Sequence, residues 1–253
     1  KKRLFPKGVM ALLPNLVAAA RREHPKYAGQ ICTNVDYVFV HRSQREAFIK
    51  EAQAYAAKHC PDIRSKDYTA IIDERAFERL QGTLRDARDK GATVLCLNET
   101  ESDPELRKLA MHLVLDTTPE MIIRQRETFG PLLMVMEYEQ PDEVIAYINA
   151  NDRPLAFYPF TNSRALAEQY IERTMSGGVT VNDALYHLAQ HDMPFGGVGG
   201  SGMGHYHGYE GFVTFSKLRP VFYQPGFSPM RWLRPPYGRF ATRFYNLLLK
   251  LKS

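Results

Sequence analysis

Apolar and polar positions alternate between two periods from Asp36 onward. Residues 36–41 (DYVFVH) form a short apolar, β-branched run between polar residues, the pattern of a buried strand. Ser43 and Glu46 then spell a capping box, S-x-x-E, and Phe48, Ile49, Ala52, Tyr55 and Ala56 recur at helical spacing. A second helix is expected over 73–90, with Phe77, Leu80, Leu84 and Ala87 on one face and Gly91 as its stop. Short strands are expected over 92–97 and 111–115, then a strand over 131–139 and a helix over 141–151. The series closes with a strand over 155–160, a helix over 164–175 stopped by Gly177 and Gly178, and a strand over 179–182. Pro159 cannot donate to a ladder and puts the 155–160 strand at a sheet edge. Strands alternating with helices give an α/β domain, a mostly parallel sheet flanked by helices.

The tail follows another rule. Arg234-Pro235-Pro236 is extended. Beyond it Phe240, Phe244, Leu247, Leu248 and Leu251 fall on one helical face, with Arg239, Arg243 and Lys250 elsewhere around the helix. Such a helix packs on its own domain or on a partner subunit. Weak peripheral membrane contact through 237–252 is the alternative use.

Charge sharpens this division. Residues 1–28 hold seven Lys or Arg and one acid, and residues 224–253 hold six and none. The body, 29–223, carries 20 basic and 27 acidic residues, a net of −7 beneath a whole-chain charge of +5. The basic balance belongs to the two arms, so nucleic acid is not expected as a partner. The first residues combine basic, apolar and small stretches as a secretory signal does, but Pro14 and Asn15 interrupt the apolar part and Arg21 and Arg22 follow at once. Three widely spaced cysteines, Cys32, Cys60 and Cys96, argue against a disulfide framework and for a reducing, cytoplasmic setting.

Three segments carry candidate chemistry. Gly29-Gln30-Ile31-Cys32 places a thiol just ahead of a strand. Such a cysteine is ordinarily buried and inert, and a nucleophilic one needs backbone N–H groups or a cation to favour its thiolate. Glu127-Thr128-Phe129-Gly130-Pro131 sets a carboxylate and an aromatic face on a turn, either solvated or able to accept hydrogen bonds from sugar hydroxyls. Residues 194–208 (PFGGVGGSGMGHYHG) are glycine-dense, with seven glycines among the thirteen residues 196–208, which permits close backbone approach. Residues 197–202 spell GxGxxG, but no strand leads into them and no helix opens there, so they are not a dinucleotide fingerprint. His187, His191, His205 and His207 lack an accompanying carboxylate or thiol cluster, and no metal is expected.

The ordered set GQ-x-C, E-x-FGP, PFGG-x-G-x-SG-x-G resembles the aldehyde dehydrogenase superfamily. Residues 177–183 (GGVTVND), 201–221 and the tail motif LRPPYG (233–238) look like its class 3 and coniferyl-aldehyde-dehydrogenase-like branch. The resemblance covers 29–238. It implies that Cys32 is the nucleophile that attacks an aldehyde carbonyl, with its own backbone N–H holding part of the oxyanion. It implies that Glu127 and Phe129 hold the nicotinamide ribose and ring of NAD or NADP. Phe195, Gly196 and Gly197 would buttress the active site and substrate tunnel, and His207 lies on a matching segment without a firm role. The substrate class implied is a hydrophobic aldehyde, coniferyl aldehyde or a relative. A last strand near 215–222 would make a homodimer.

The resemblance divides the chain into an atypical basic segment (1–28), a catalytic domain (29–212), an oligomerisation strand (213–223) and a basic tail with an amphipathic helix (224–253). It also exposes departures. The family's general-base glutamate stands in an E-L-G-G motif before the cysteine, with an asparagine and a Rossmann-type cofactor domain further upstream. No such motif occurs in residues 1–31, and Glu23 does not match it. The competing readings are an incomplete domain that dimerises without turnover, a cysteine hydrolase using Cys32 without NAD, and a metal enzyme built on the four histidines.

Overall fold

The computed structural model describes residues 28–228, 230 and 233–252. The chain divides into two compact units, the first ending at Phe215 and the second being Ser216–Ser253. The basic segment 1–28 lies, except for Ala28, outside the described residues.

The first unit is built on a four-stranded sheet. Strand β1 (Tyr37–His41) runs parallel to β6 (Leu132–Tyr138), β6 parallel to β5 (His112–Leu115), and β5 antiparallel to β2 (Thr93–Cys96). A two-stranded hairpin of β3 (Ser102–Asp103) and β4 (Lys108–Leu109) was not legible in the apolar pattern. A separate parallel pair joins β7 (Ala156–Phe157) to β8 (Gly178–Val179). The pair continues past the strands, because Thr180 and Asn182 donate backbone N–H to the Phe157 and Pro159 carbonyls at 3.1 and 2.9 Å.

Helices cover both faces. Helix α1 (Arg45–His59) buries Phe48, Ala52 and Ala56. The expected Ser43/Glu46 capping box does not form. Residues Arg42–Gln44 make a 3-10 turn, which draws Ser43 into the helical run, and the His41 ring accepts from the Ser43 N–H instead. Helix α2 (Glu74–Asp89) is capped by Asp73, which accepts from the Ala76 N–H at 2.7 Å, and buries Phe77, Leu80, Leu84 and Ala87 as expected. Gly91 ends it at φ +89, a conformation glycine adopts without strain. A short helix α3 (Ile122–Gln125) starts on the Asp86 carboxylate, which accepts from the Ile122 N–H at 2.7 Å. Helices α4 (Pro141–Ala150) and α5 (Arg164–Arg173) complete the layers, with Ser163 capping α5.

Three apolar clusters result. Leu113, Leu115, Leu133 and Val135 meet α1, while Val114, Leu132 and Met134 meet α2 on the other face. A third cluster joins Val144, Ile145 and Ile148 of α4 to Tyr170 of α5. Strand β5 is buried throughout, as a strand covered on both faces must be. Strand β1 departs from expectation: only Val40 is buried, because its edge away from β6 has no neighbouring strand among the described residues.

Residues 215–222, expected as a strand, form none. The chain leaves a short helix α6 (Gly208–Thr214) and continues without ladder pairing, since a strand needs a partner edge. The tail helix forms as α7 (Arg239–Lys252), with Phe240 and Phe244 stacked one turn apart. Among the described residues no helix is long and apolar enough to cross a membrane.

Candidate active site

Cys32 stands at the tip of a turn closed by the Asn34 N–H donating to the Ile31 carbonyl at 2.9 Å, and it is exposed. The turn is pinned from three sides. Gln30 bridges to the segment before α2, donating Nε2–H to the Ala70 carbonyl and accepting the Ile72 N–H at 2.8 Å. The Tyr158 hydroxyl donates to the Thr33 carbonyl at 2.9 Å. Gly29, at φ +75, lies against the backbone of Gly130, where a Cβ would meet the Gly130 carbonyl oxygen at 2.1 Å. Only glycine fits there, and the contact presses the cysteine turn onto the E-x-FGP turn.

Asp36 makes the second link between these turns. Its carboxylate accepts from the Thr128 N–H and hydroxyl at 3.0 and 2.5 Å. Burial raises the Asp36 carboxyl above its ordinary value, outweighing the Thr128 hydrogen bonds and the nearby Arg79 charge that favour ionisation. Arg79 of α2 donates to the Phe129 carbonyl at 3.3 Å. Phe129 sits at φ +46, a costly conformation for an aromatic residue, and its ring is partly exposed. Partial enclosure raises the Glu127 carboxyl, and the Asp36 charge adds to the effect. Asp36, Arg79, Thr128, Glu127 and Phe129 thus form one connected group beside Cys32.

Cys32 and Glu127 line a common cleft of about 660 Å³, together with Asn34, Tyr147, Phe157 and Tyr158. Asn34 places both side-chain polar atoms in buried positions without a hydrogen-bond partner among the described residues. Its amide therefore faces the cleft with its bonding capacity unused.

The glycine-rich segment reaches the cleft only at its middle. Phe195, Gly196, Gly197 and His207 do not line that cleft; Gly200 and Ser201 do. Phe195 exchanges backbone hydrogen bonds with Tyr206, both at 2.8 Å, and its ring lies 5.9 Å from His187 and 6.3 Å from His207. Gly196 supports the β7–β8 pair directly: a Cβ on Gly177 would meet its carbonyl oxygen at 2.2 Å. Gly197 folds back on the Ser201 carbonyl. His207, at φ +70, precedes α6, 5.0 Å from His191 ring to ring, and its Nδ1 is buried without a partner. Among the described residues no three metal-ligating side chains converge.

The motif reading missed Asp36, Arg79, Asn34 and Tyr158. Asp36 reads as the polar boundary of a strand and Tyr158 as one more strand aromatic; only tertiary pairing gives either a part in the site.

A mostly parallel α/β sheet with an exposed cysteine turn locked onto an E-x-FGP turn agrees with the family comparison: residues 11–221 match the aldehyde dehydrogenase family, and the chain belongs to it. That match begins inside the basic segment 1–28. Among relatives, the chain is 48% identical over 235 residues to a probable coniferyl aldehyde dehydrogenase of Caulobacter vibrioides, covering 90% of this chain and 48% of that protein. It is 41% identical over 227 residues to the coniferyl aldehyde dehydrogenase of a Pseudomonas species, covering 88% and 47%. A substrate-bound structure of Staphylococcus aureus AldH superposes with a TM-score of 0.73 at 26% identity, over 98% of this chain and 52% of that one. The chain spans about half the length of the curated relatives it matches.

Proposed function

We propose that this chain carries the nucleophile and the nicotinamide-holding turn of an NAD(P)-dependent aldehyde dehydrogenase acting on a hydrophobic aldehyde of the coniferyl type. The observation that carries the reading is the locking of the exposed Cys32 turn onto the Glu127–Phe129 turn through Gly29, Gly130 and Asp36. The substrate class follows the coniferyl aldehyde dehydrogenases among its relatives.

In this reading Cys32 Sγ forms a bond to the aldehyde carbon, and the oxygen that gains charge is held in part by the Cys32 backbone N–H. Glu127 and Phe129 fit a nicotinamide nucleoside: a carboxylate suited to accept from ribose hydroxyls beside a partly exposed aromatic face. When bound, the nicotinamide supplies the acceptor for the hydride that leaves the substrate carbon. Cys32 retains the acyl group as a thioester until water cleaves the carbon–sulfur bond, returning the thiol and releasing the acid. Homodimerisation belongs to the same proposal, through 213–223, where Leu218, Val221, Phe222 and Tyr223 are exposed. We assign α7 to packing on protein, with peripheral membrane contact as its lesser use.

The test is aldehyde-dependent NADH formation by this chain, alone and mixed with the remaining half of the Caulobacter relative, with Cys32→Ala in parallel. We expect turnover in the mixture and a loss of about a thousandfold or more in Cys32→Ala. Turnover indifferent to that substitution overturns the assignment. A folded mixture without turnover leaves the second reading, an inactive domain.

A further inference from the structure

Phe129 stands in a conformation that its own chemistry disfavours. Its φ of +46 suits glycine, yet the residue is aromatic. Packing does not account for the cost. The ring is 36% exposed, and it belongs to none of the three apolar clusters. A strained residue that adds nothing to the core persists only where its flanks over-determine it.

Both flanks of Phe129 are fixed. On one side Gly130 is boxed in: a Cβ there would meet Leu80 Cδ2 at 2.5 Å, and a Cβ on Gly29 would lie 2.1 Å from the Gly130 carbonyl oxygen. On the other side Thr128 is 2% exposed and donates both its N–H and its hydroxyl to one oxygen of Asp36, at 3.0 and 2.5 Å. The Phe129 N–H adds a weaker bond to the same carboxylate. One carboxylate accepts several bonds at once, and bonds to a charged acceptor are the strong kind. Asp36 thus fixes the peptide planes before and after Thr128. Arg79 fixes the plane after Phe129, donating to its carbonyl at 3.3 Å.

We propose that Asp36 is a positioning residue for the cofactor turn: through Thr128 it holds Phe129 at positive φ, with the exposed ring as a platform for the nicotinamide. Thr128 is buried on Asp36, while Glu127 and Phe129 on either side of it are exposed. One bonded residue therefore sets the two that the proposed function uses. Asp36 acts only through the turn and does not touch the cofactor. The inference rests on the reading of Glu127 and Phe129 as the nicotinamide-holding pair, and it makes affinity for NAD the quantity that Asp36 governs.

The test has two arms. In the first, NMR on the full chain alone reads the Phe129 backbone carbon shifts and the exchange of the Thr128 amide. The native chain should show the shifts of positive φ and a protected Thr128 amide. In Asp36→Ala we expect the shifts to move toward extended values and Thr128 exchange to quicken at least about tenfold. Asp36→Asn keeps an acceptor oxygen in place, so most of the protection should return. In the second arm, NADH formation is followed in the mixture with the remaining half of the Caulobacter relative. We expect Asp36→Ala to raise KM for NAD about tenfold with kcat within about threefold, and Asp36→Asn to restore most of the difference. A merely structural loss would lower the active fraction, and so kcat, without moving KM. If Asp36→Ala does not fold, Thr128→Val takes its place with an expected rise in KM of about threefold. Three results overturn the proposal: a native Phe129 without the shifts of positive φ, a variant that leaves those shifts in place, or an unchanged KM for NAD once they have moved. A native mixture that folds without turnover, while Asp36→Ala still releases Phe129, removes only the functional reading and leaves the clamp.

Discussion

Among the described residues the main sheet has two outer strands, and they are built on opposite rules. Strand β2 is four residues long, antiparallel to its neighbour, and begins at the exposed Thr93. Its end is tied off by Asn98, which donates to the Cys60 carbonyl at 2.6 Å and accepts the Met111 N–H at 3.2 Å. Short, closed strands of this kind are how proteins keep sheet edges from pairing with other chains. Strand β1 carries Tyr-Val-Phe-Val, runs parallel to β6, and faces an open cleft. Among the described residues no strand pairs with that edge. The difference teaches that β2 is closed off at its edge, whereas β1 keeps an apolar, half-buried edge beside the cleft among the described residues.

The largest effect expected from this contrast lies away from either edge. Leu113 of β5 is fully buried between β6 and β2. Leu113→Ala deletes methyl groups from a site with no room to collapse, and we expect a loss of about 2–5 kcal/mol, measured by chemical denaturation. A loss below about 1 kcal/mol would mean that the closed half of the sheet is not the stabilising core.

A smaller effect separates the two ends by their thiols. Cys60 lies at the β2 end, and burial pushes its thiol up to about 11. Its folded value exceeds its unfolded one, so the unfolded chain releases this proton first. Stability is therefore full below about pH 8.5, the ordinary thiol value, and falls as pH rises toward 11. We expect Cys60→Ala to flatten the decline of Tm over that window relative to the native chain. Cys32, exposed at the open end, should be alkylated at pH 8 while Cys60 stays unreacted in the folded protein. Equal labelling of the two would erase the distinction between a closed and an open end.

The same distinction explains what was legible in the sequence. The helices over 73–90 and 141–151 were readable because their apolar faces are complete within the chain and their starts carry local signals, Asp73 before one and Pro141 in the other. Residues 36–41 were readable as a strand but not as a half-buried one, because apolar composition does not report which edge of a strand is covered. Cys32, Glu127 and Phe129 stood out only through their ordered motifs. The Asp36–Thr128 and Tyr158–Thr33 hydrogen bonds join residues 92 and 125 positions apart, and no local pattern encodes them.

The smallest effect in this chain alone is the most informative. Phe39 is half-buried, its ring 5.2 Å from that of Tyr147 and 5.8 Å from that of Tyr37. Phe39→Ala removes these edge-to-face contacts and part of the packing against α4, but leaves little new cavity because the site already opens to the cleft. We expect a cost of about 1 kcal/mol, well under the 3–5 kcal/mol typical of an enclosed phenylalanine. Chemical denaturation of Phe39→Ala beside the native chain measures that cost. A cost of about 3 kcal/mol or more would mean that the β1 end is as closed as the β2 end.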